Sequence, residues 1–474
     1  MLFNSLPFLV FMILVFALYW SAGNNRRVQN ILLLAANYVF YAWWDWRSLA
    51  LLVTYGLVIY FIGHKIYEAD KPNKKWWLRL ALLFGIGTLS YFKYTNFFIG
   101  SFNDVVMKLG GHSSLHTLNI ILPLGISFFT FQSLGYVLDI NNGKIKPTTD
   151  LLSFLAFVSF FPTVLSGPIE RADNLLVQLQ QKRTFSNEQA KDGLRQILWG
   201  LFKKMVIADN LGHIVDAIYG AYGNSSAAAL AAGILIFPFQ LYADFSGYSD
   251  MATGIASLMG FSLVRNFAYP YFARSIPEYW RRWHMSLTSW ITEYLYTPLS
   301  IALRDYGKAG MMLAIFITYV VIGFWHGANW TYIVFGIVFS IYFSVFLLRK
   351  KKKKKKGPEN ELSLKNIGLM VQTFLLVAFA DLFFRSANVK EAFSYLHHLV
   401  TAKTMGNGLA AYADVSLLLI PVLLVVDWLG RNKAHPLVMT HQPRLPVRWV
   451  IYIMLLLFIF FCAGEQQKFI YLQF

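Results

Sequence analysis

Two histidines stand out in this 474-residue chain because of their neighbours. His326 lies in "VVIGFWHGANW", within the apolar stretch from Met311 to Leu348, and His284 lies in "YWRRWHMSLTSW", beside Arg281, Arg282 and Trp283. A polar side chain at membrane depth is costly, so an intramembrane histidine marks a functional site by default, and its ring titrates close to neutral pH. The alternative is a histidine that only hydrogen-bonds a neighbouring helix. Gly323 and Gly327 flank His326 and let another backbone or a ligand approach closely. For His284 two readings stay open. Arg281 and His284 are three apart and share a helix face, with Trp280, Trp283 and Trp290 forming an aromatic belt. That face either snorkels at the membrane interface or binds an anion.

The acidic candidates are Asp244 and Asp250 in "LYADFSGYSDMATGIASLMGF". Their spacing does not put them on one helical face, so each is expected to play a structural or supporting role. The remaining histidines, including the His397-His398 pair, lack metal-ligand spacing, and the chain contains no HExxH, paired CxxC, GxSxG or P-loop. Cys462 is the only cysteine, which excludes an intramolecular disulfide and a thiol–metal cluster. Its position near the end of the last apolar run predicts packing. No metal site is expected.

The elements that must hold these residues are helices in a bilayer. Hydrophobic residues make up 57% of the chain and charged residues only 14%, more apolar surface than a soluble domain can hide. Apolar runs recur throughout, among them 2–20, 49–63, 80–98, 230–242 and 367–384. They predict an all-α polytopic membrane protein of roughly 11 transmembrane helices, with residues 1–474 forming a single integral-membrane domain. The first run lacks a basic n-region and a cleavage site and reads as a retained span.

The formal net charge of +18 resides in short loops between apolar runs, which favours topology over nucleic-acid binding. Basic loops after the first and third runs put the N-terminus outside. The loop 349–366, with seven consecutive lysines from Lys350 to Lys356, reads as cytoplasmic and able to touch anionic lipid. Counted from Lys308, a straight helix reaches His326 after roughly 18 residues, about 27 Å, deep in the membrane or near its far side. Because basic loops bracket 311–348 on both sides, that stretch is expected to be a helical hairpin or a pair of broken spans. Leu151–Leu165 would extend only about 22 Å, and the break at Ser166-Gly167-Pro168 suggests a re-entrant element that is buried or lines a cavity. Residues 264–308 have the mixed character of interfacial segments.

Several segments in order, "FFPTVLSGPIERADNLL", "WGLFKKMVIADNL", "YADFSGYSDMATGIASLMGF", "NFAYPYFARSIPEYWRRWHMSLTSWITEYLYTPL", "FWHGANW", "DLFFRS" and "FIYLQF", resemble the membrane-bound O-acyltransferase (MBOAT) superfamily. Within it the chain is similar to the bacterial membrane subunits that O-acetylate alginate and other surface polysaccharides. The resemblance covers nearly the whole chain. It implies many helices, including interfacial and re-entrant ones, around a central passage with a cytoplasmic funnel for the acyl donor. The family's essential histidine falls on His326 and its companion polar position on His284. After "YLYTPL" relatives commonly continue with a Gly-Gly-Asn/Ser-Arg turn, whereas this chain reads "SIALRDYGKAG".

The resemblance implies that acetyl-CoA or another thioester arrives as a substrate, with no cofactor bound permanently. Arg281, Arg282 and Trp283 become candidates for donor binding. Neutral histidine supplies the base for acyl transfer to a hydroxyl, and Asn329, Trp325 or backbone amides near Gly327 are candidates to stabilise the carbonyl oxygen. The implied setting is the bacterial plasma membrane, with extracytoplasmic acetyltransferase partners and a polysaccharide acceptor. Two alternatives remain: a D-alanyl transfer protein for teichoic acids, and a transporter using His326 as a proton relay.

Overall fold

The computed structural model describes residues 1–348, 363–402, 408–438, 445–467 and 469–470. Among them every regular element is helical. Five helices are long and apolar enough to cross a membrane: Trp46–Glu68, Ala227–Leu258, Arg304–His326, Trp330–Leu348 and Leu364–Arg385. Leu6–Ser21, Val415–Gly430 and Leu445–Phe461 are apolar but shorter. The all-α membrane architecture therefore stands, whereas the count of roughly 11 spans is not reached by length and apolarity. Some apolar runs are divided between short helices and irregular chain.

The chain forms two compact units. The first comprises Met1–Leu194 with Ala252–Val264, and the second comprises Arg195–Met251 with the described residues from Arg265 onward. In the first unit, Asn25, Asp45 and Asp150 cap the helices that start at Arg26, Trp46 and Leu151, each accepting a bond from a backbone N–H of the first turn. The helix from Leu151 ends at Val158, earlier than the Ser-Gly-Pro break. The irregular chain beyond it is buried, as expected, and Asn37 on a neighbouring helix bonds the backbone both of the helix end and of the chain that follows. Asn37 Oδ1 accepts from Phe161 N at 3.0 Å, and Asn37 Nδ2 donates to Ala156 O at 3.3 Å. Gly125, at φ 74°, lets this chain pass closely: a Cβ there would lie 2.0 Å from Val164 O.

The second unit holds every residue singled out above as a site candidate. The expected hairpin is present as helices Gly307–His326 and Trp330–Leu348. Residues 349–362 of the basic loop lie outside the described residues, and Ser363 caps the helix Leu364–Arg385. Cys462 is exposed rather than packed, because it falls one residue beyond the helix Leu445–Phe461.

Candidate active site

His326 owes its position to the hairpin. Its two helices touch backbone to backbone: a Cβ on Gly323 would lie 2.1 Å from Tyr332 O, and one on Gly336 would lie 2.2 Å from Tyr319 O. Such contact leaves no room for side chains at the crossing and places His326 three residues beyond it. Gly327 is extended, which ends the first helix at His326. Asn329 then starts the second helix, accepting from Thr331 N at 3.1 Å and donating to Ala387 O at 2.7 Å. That amide, a sequence candidate for the carbonyl oxygen, is thereby engaged in holding the turn. His326 is 2% exposed. Aromatic rings surround it, with centroids at 5.1 Å for Trp325, 5.2 Å for Phe384 and 5.9 Å for Phe335.

The segment around His284 differs from the continuous helix expected. A short helix, Ile276–Trp280, stops before the arginines, and a second, Met285–Ile291, begins after the histidine. Arg281 and His284 therefore do not share a helix face. Between the two helices the chain turns through His284 itself, which is left-handed at φ 41° and ψ 53°. Few non-glycine residues adopt this conformation, and it persists only where the surroundings over-determine it. Here they do: Ala268 N donates to Arg282 O, and Met285 N donates to Asn266 O, both at 2.9 Å. The turn also draws the tryptophans inward. Trp280, Trp283 and Trp290 are all buried rather than forming an interfacial belt. Trp283 packs on Phe267 and Tyr279 at 5.1 and 5.6 Å.

The two histidines meet at one tryptophan. The Trp325 ring lies 5.8 Å from the His284 ring and 5.1 Å from the His326 ring. His284 is fully buried, and Phe245 covers it edge-on at 4.7 Å. Two imidazoles and an indole, separated by about 40 residues in sequence, thus form one compact group within apolar walls. A buried group of this kind strengthens electrostatic interactions and keeps competing hydrolysis out.

The arginines differ from each other. Arg282 pairs with Glu278 at 2.8 Å and also donates to Ala268 O at 3.4 Å, so it braces the turn. Arg281 is exposed and forms no ion pair among the described residues. Asp244 and Asp250 sit on the helix Ala227–Leu258, and each holds its own lysine. Asp244 pairs with Lys204 at 2.7 Å, with Asp209 on the same ammonium at 2.8 Å. Asp250 pairs with Lys203 at 2.6 Å. Both lysines belong to the π-helical turn Phe202–Ala208. Among the described residues no group of three or more His, Cys, Asp or Glu is arranged to hold a metal ion.

Sequence reasoning missed Lys203, Lys204 and Asn266. Two adjacent lysines inside "WGLFKKMVIADNL" were a readable signal, because charges in an apolar run require partners. Asn266 gave none, since an asparagine beside Arg265 reads as an ordinary loop residue.

Comparison with known proteins places the chain in a family. A family model described as MBOAT, membrane-bound O-acyltransferase family, matches residues 142–383, which include both histidines. A probable alginate O-acetylase of Pseudomonas syringae is 37% identical over 83% of this chain and 74% of its own length. A peptidoglycan O-acetyltransferase of Helicobacter pylori is 30% identical over 95% of this chain and 93% of its own. A teichoic acid D-alanyltransferase of Streptococcus thermophilus is 32% identical over 56% of this chain and 69% of its own. The chain belongs to the membrane-bound O-acyltransferase family.

Proposed function

We propose that this acyltransferase takes an acetyl group from a cytoplasmic thioester, acetyl-CoA, and passes it across the bacterial plasma membrane for O-acetylation of an extracytoplasmic polysaccharide. The observation that carries the reading is the buried group of His326, Trp325 and His284 at the end of a membrane hairpin. In the transfer step a hydroxyl oxygen attacks the acyl carbon, its proton passes to a neutral imidazole, the C–O bond forms and the C–S bond breaks. The proton then goes to the departing sulfur. His326 is the base, and His284 works beside it. Thioester chemistry needs no permanently bound cofactor. Final placement on the polymer falls to partner acetyltransferases outside the membrane. Acetyl is favoured over D-alanyl because the O-acetyltransferase relatives match far more of this chain than the D-alanyltransferase does.

Membrane vesicles from the producing cells, supplied with acetyl-CoA, test the reading. His326→Ala should lower acetylation of the polymer by at least about 100-fold, the lower end of what a positioned base contributes, with insertion unchanged. Near-normal acetylation by a well-inserted variant would remove His326 from the chemistry.

A further inference from the structure

We infer that Asn266 is a positioning residue that holds the neutral His284 ring in its Nδ1–H form, with the Nε2 lone pair turned to the reacting groups. This rests on the reading of His284 as part of the catalytic group.

Three groups converge on the Asn266 side-chain oxygen. Ser286 N lies 3.4 Å from Oδ1, Ser286 Oγ lies 2.9 Å from it, and His284 Nδ1 lies 2.9 Å from it. A backbone N–H can only donate, so the Asn266 atom facing it is the carbonyl oxygen and not the amide nitrogen. The other end agrees, because Asn266 Nδ2 donates to Ser249 Oγ at 3.0 Å on the helix Ala227–Leu258. With the amide orientation fixed, the oxygen facing His284 has lone pairs only, and His284 Nδ1 must bring the hydrogen. A neutral imidazole carries one N–H, so Nε2 is then the acceptor.

The backbone supports the same assignment. Met285 N donates to Asn266 O at 2.9 Å, so one asparagine grips the chain after His284 through its carbonyl and the ring through its side chain. Both contacts need the left-handed turn at His284. All four polar residues are buried: Asn266 is 3% exposed, Ser249 5%, His284 0% and Ser286 4%. In this tautomer His284 accepts a hydrogen bond at Nε2 and does not donate one there to a developing oxyanion. Its part is to receive a proton or to orient a donor N–H or O–H. His326 lies on the other side of Trp325 from it.

Two readouts test the assignment in the full-length protein. The first is the pH profile of acetyl-CoA turnover in vesicles from the producing cells. Asn266→Ala should reduce turnover by on the order of 100-fold with little change in the KM for acetyl-CoA. Asn266→Asp keeps an acceptor toward His284 and lets the Ser249 hydroxyl become the donor. It should retain at least about ten times the turnover of Asn266→Ala, while its negative charge stabilises the imidazolium. The neutral ring then requires higher pH, and the acid limb should move upward by about one pH unit or more. The second readout is magic-angle-spinning NMR of protein labelled with ¹³C,¹⁵N-histidine, with His284 assigned by its loss in His284→Gln. The Nδ1–H signature is expected in the wild type, with the Nε2–H form appearing in Asn266→Ala. A wild-type Nε2–H signature would overturn the inference. So would an unmoved acid limb in Asn266→Asp while His284→Ala is inactive. If His284→Ala instead turns over normally, the catalytic reading of His284 fails, and the spectrum alone decides whether Asn266 sets the tautomer.

Discussion

Arg281 and Arg282 carry the same charge side by side, yet their surroundings assign them different work. Arg282 is held by Glu278, which also pairs with Arg274 at 3.4 Å, so its guanidinium is already committed to the turn that presents His284. Arg281 is exposed and remains the better candidate to meet the phosphates of a thioester donor. A planar guanidinium grips a phosphate in two places, whereas a lysine offers only a point charge. Arg281→Lys should therefore raise the apparent KM for acetyl-CoA several-fold with a smaller effect on turnover. Arg282→Lys should act on turnover through the turn. Thioester kinetics on the two purified variants check this, and unchanged constants in Arg281→Lys would return that residue to a membrane-surface role.

At the scale of elements, the hairpin and the helix Ala227–Leu258 fix the two histidines by different means. The hairpin uses absent side chains, and Gly323 is the test. A branched side chain there meets the Tyr332 carbonyl and has nowhere to move, so Gly323→Val should separate the helices, lower thermal stability by a few kcal/mol and abolish activity. Gly368 is a matched control, since a Cβ there meets nothing within 4 Å. Gly368→Ala should stabilise by roughly 0.4–1 kcal/mol with activity intact. Thermal unfolding of the detergent-solubilised variants reads both signs. The long helix uses charges instead. Lys203 and Lys204 tie it to the π-helical turn, and removing one partner of a buried pair costs about 3–5 kcal/mol because the other charge is left without compensation. The same helix carries Ser249, which accepts from Asn266 Nδ2 at 3.0 Å in the chain leading to the site.

For the whole molecule, orientation in the bilayer is a matter of charge in short loops. The Lys350–Lys356 run lies outside the described residues, and its charge predicts a cytoplasmic side. Shortening it to two lysines should change the yield or the fraction of correctly oriented protein more than turnover per molecule, because surface lysines contribute mainly topology and lipid attraction. Labelling a cysteine placed in this loop, in intact and in permeabilised cells, checks the orientation after Cys462 has been replaced by serine. Modification in intact cells would reverse the assigned topology.

Composition and periodicity by themselves determined the helical membrane class, narrowed 311–348 to a hairpin or two broken spans, and signalled an interrupted element after Leu151, because each follows from the cost of placing backbone and charge in hydrocarbon. His326 and His284 were legible for the same reason: polar rings in apolar or aromatic surroundings need a purpose. What only the tertiary structure decided was the relation between distant residues. No local rule places His284 in a left-handed turn, since φ > 0 at a histidine is locally unfavourable and is held by bonds from Asn266, 18 positions earlier. Hydropathy likewise cannot tell a lipid-facing run from one buried in protein, as the short helix Leu151–Val158 and the buried chain after it show. The meeting of His284 and His326 at Trp325 depends on packing among separate helices, and only the assembled second unit brings those rings together.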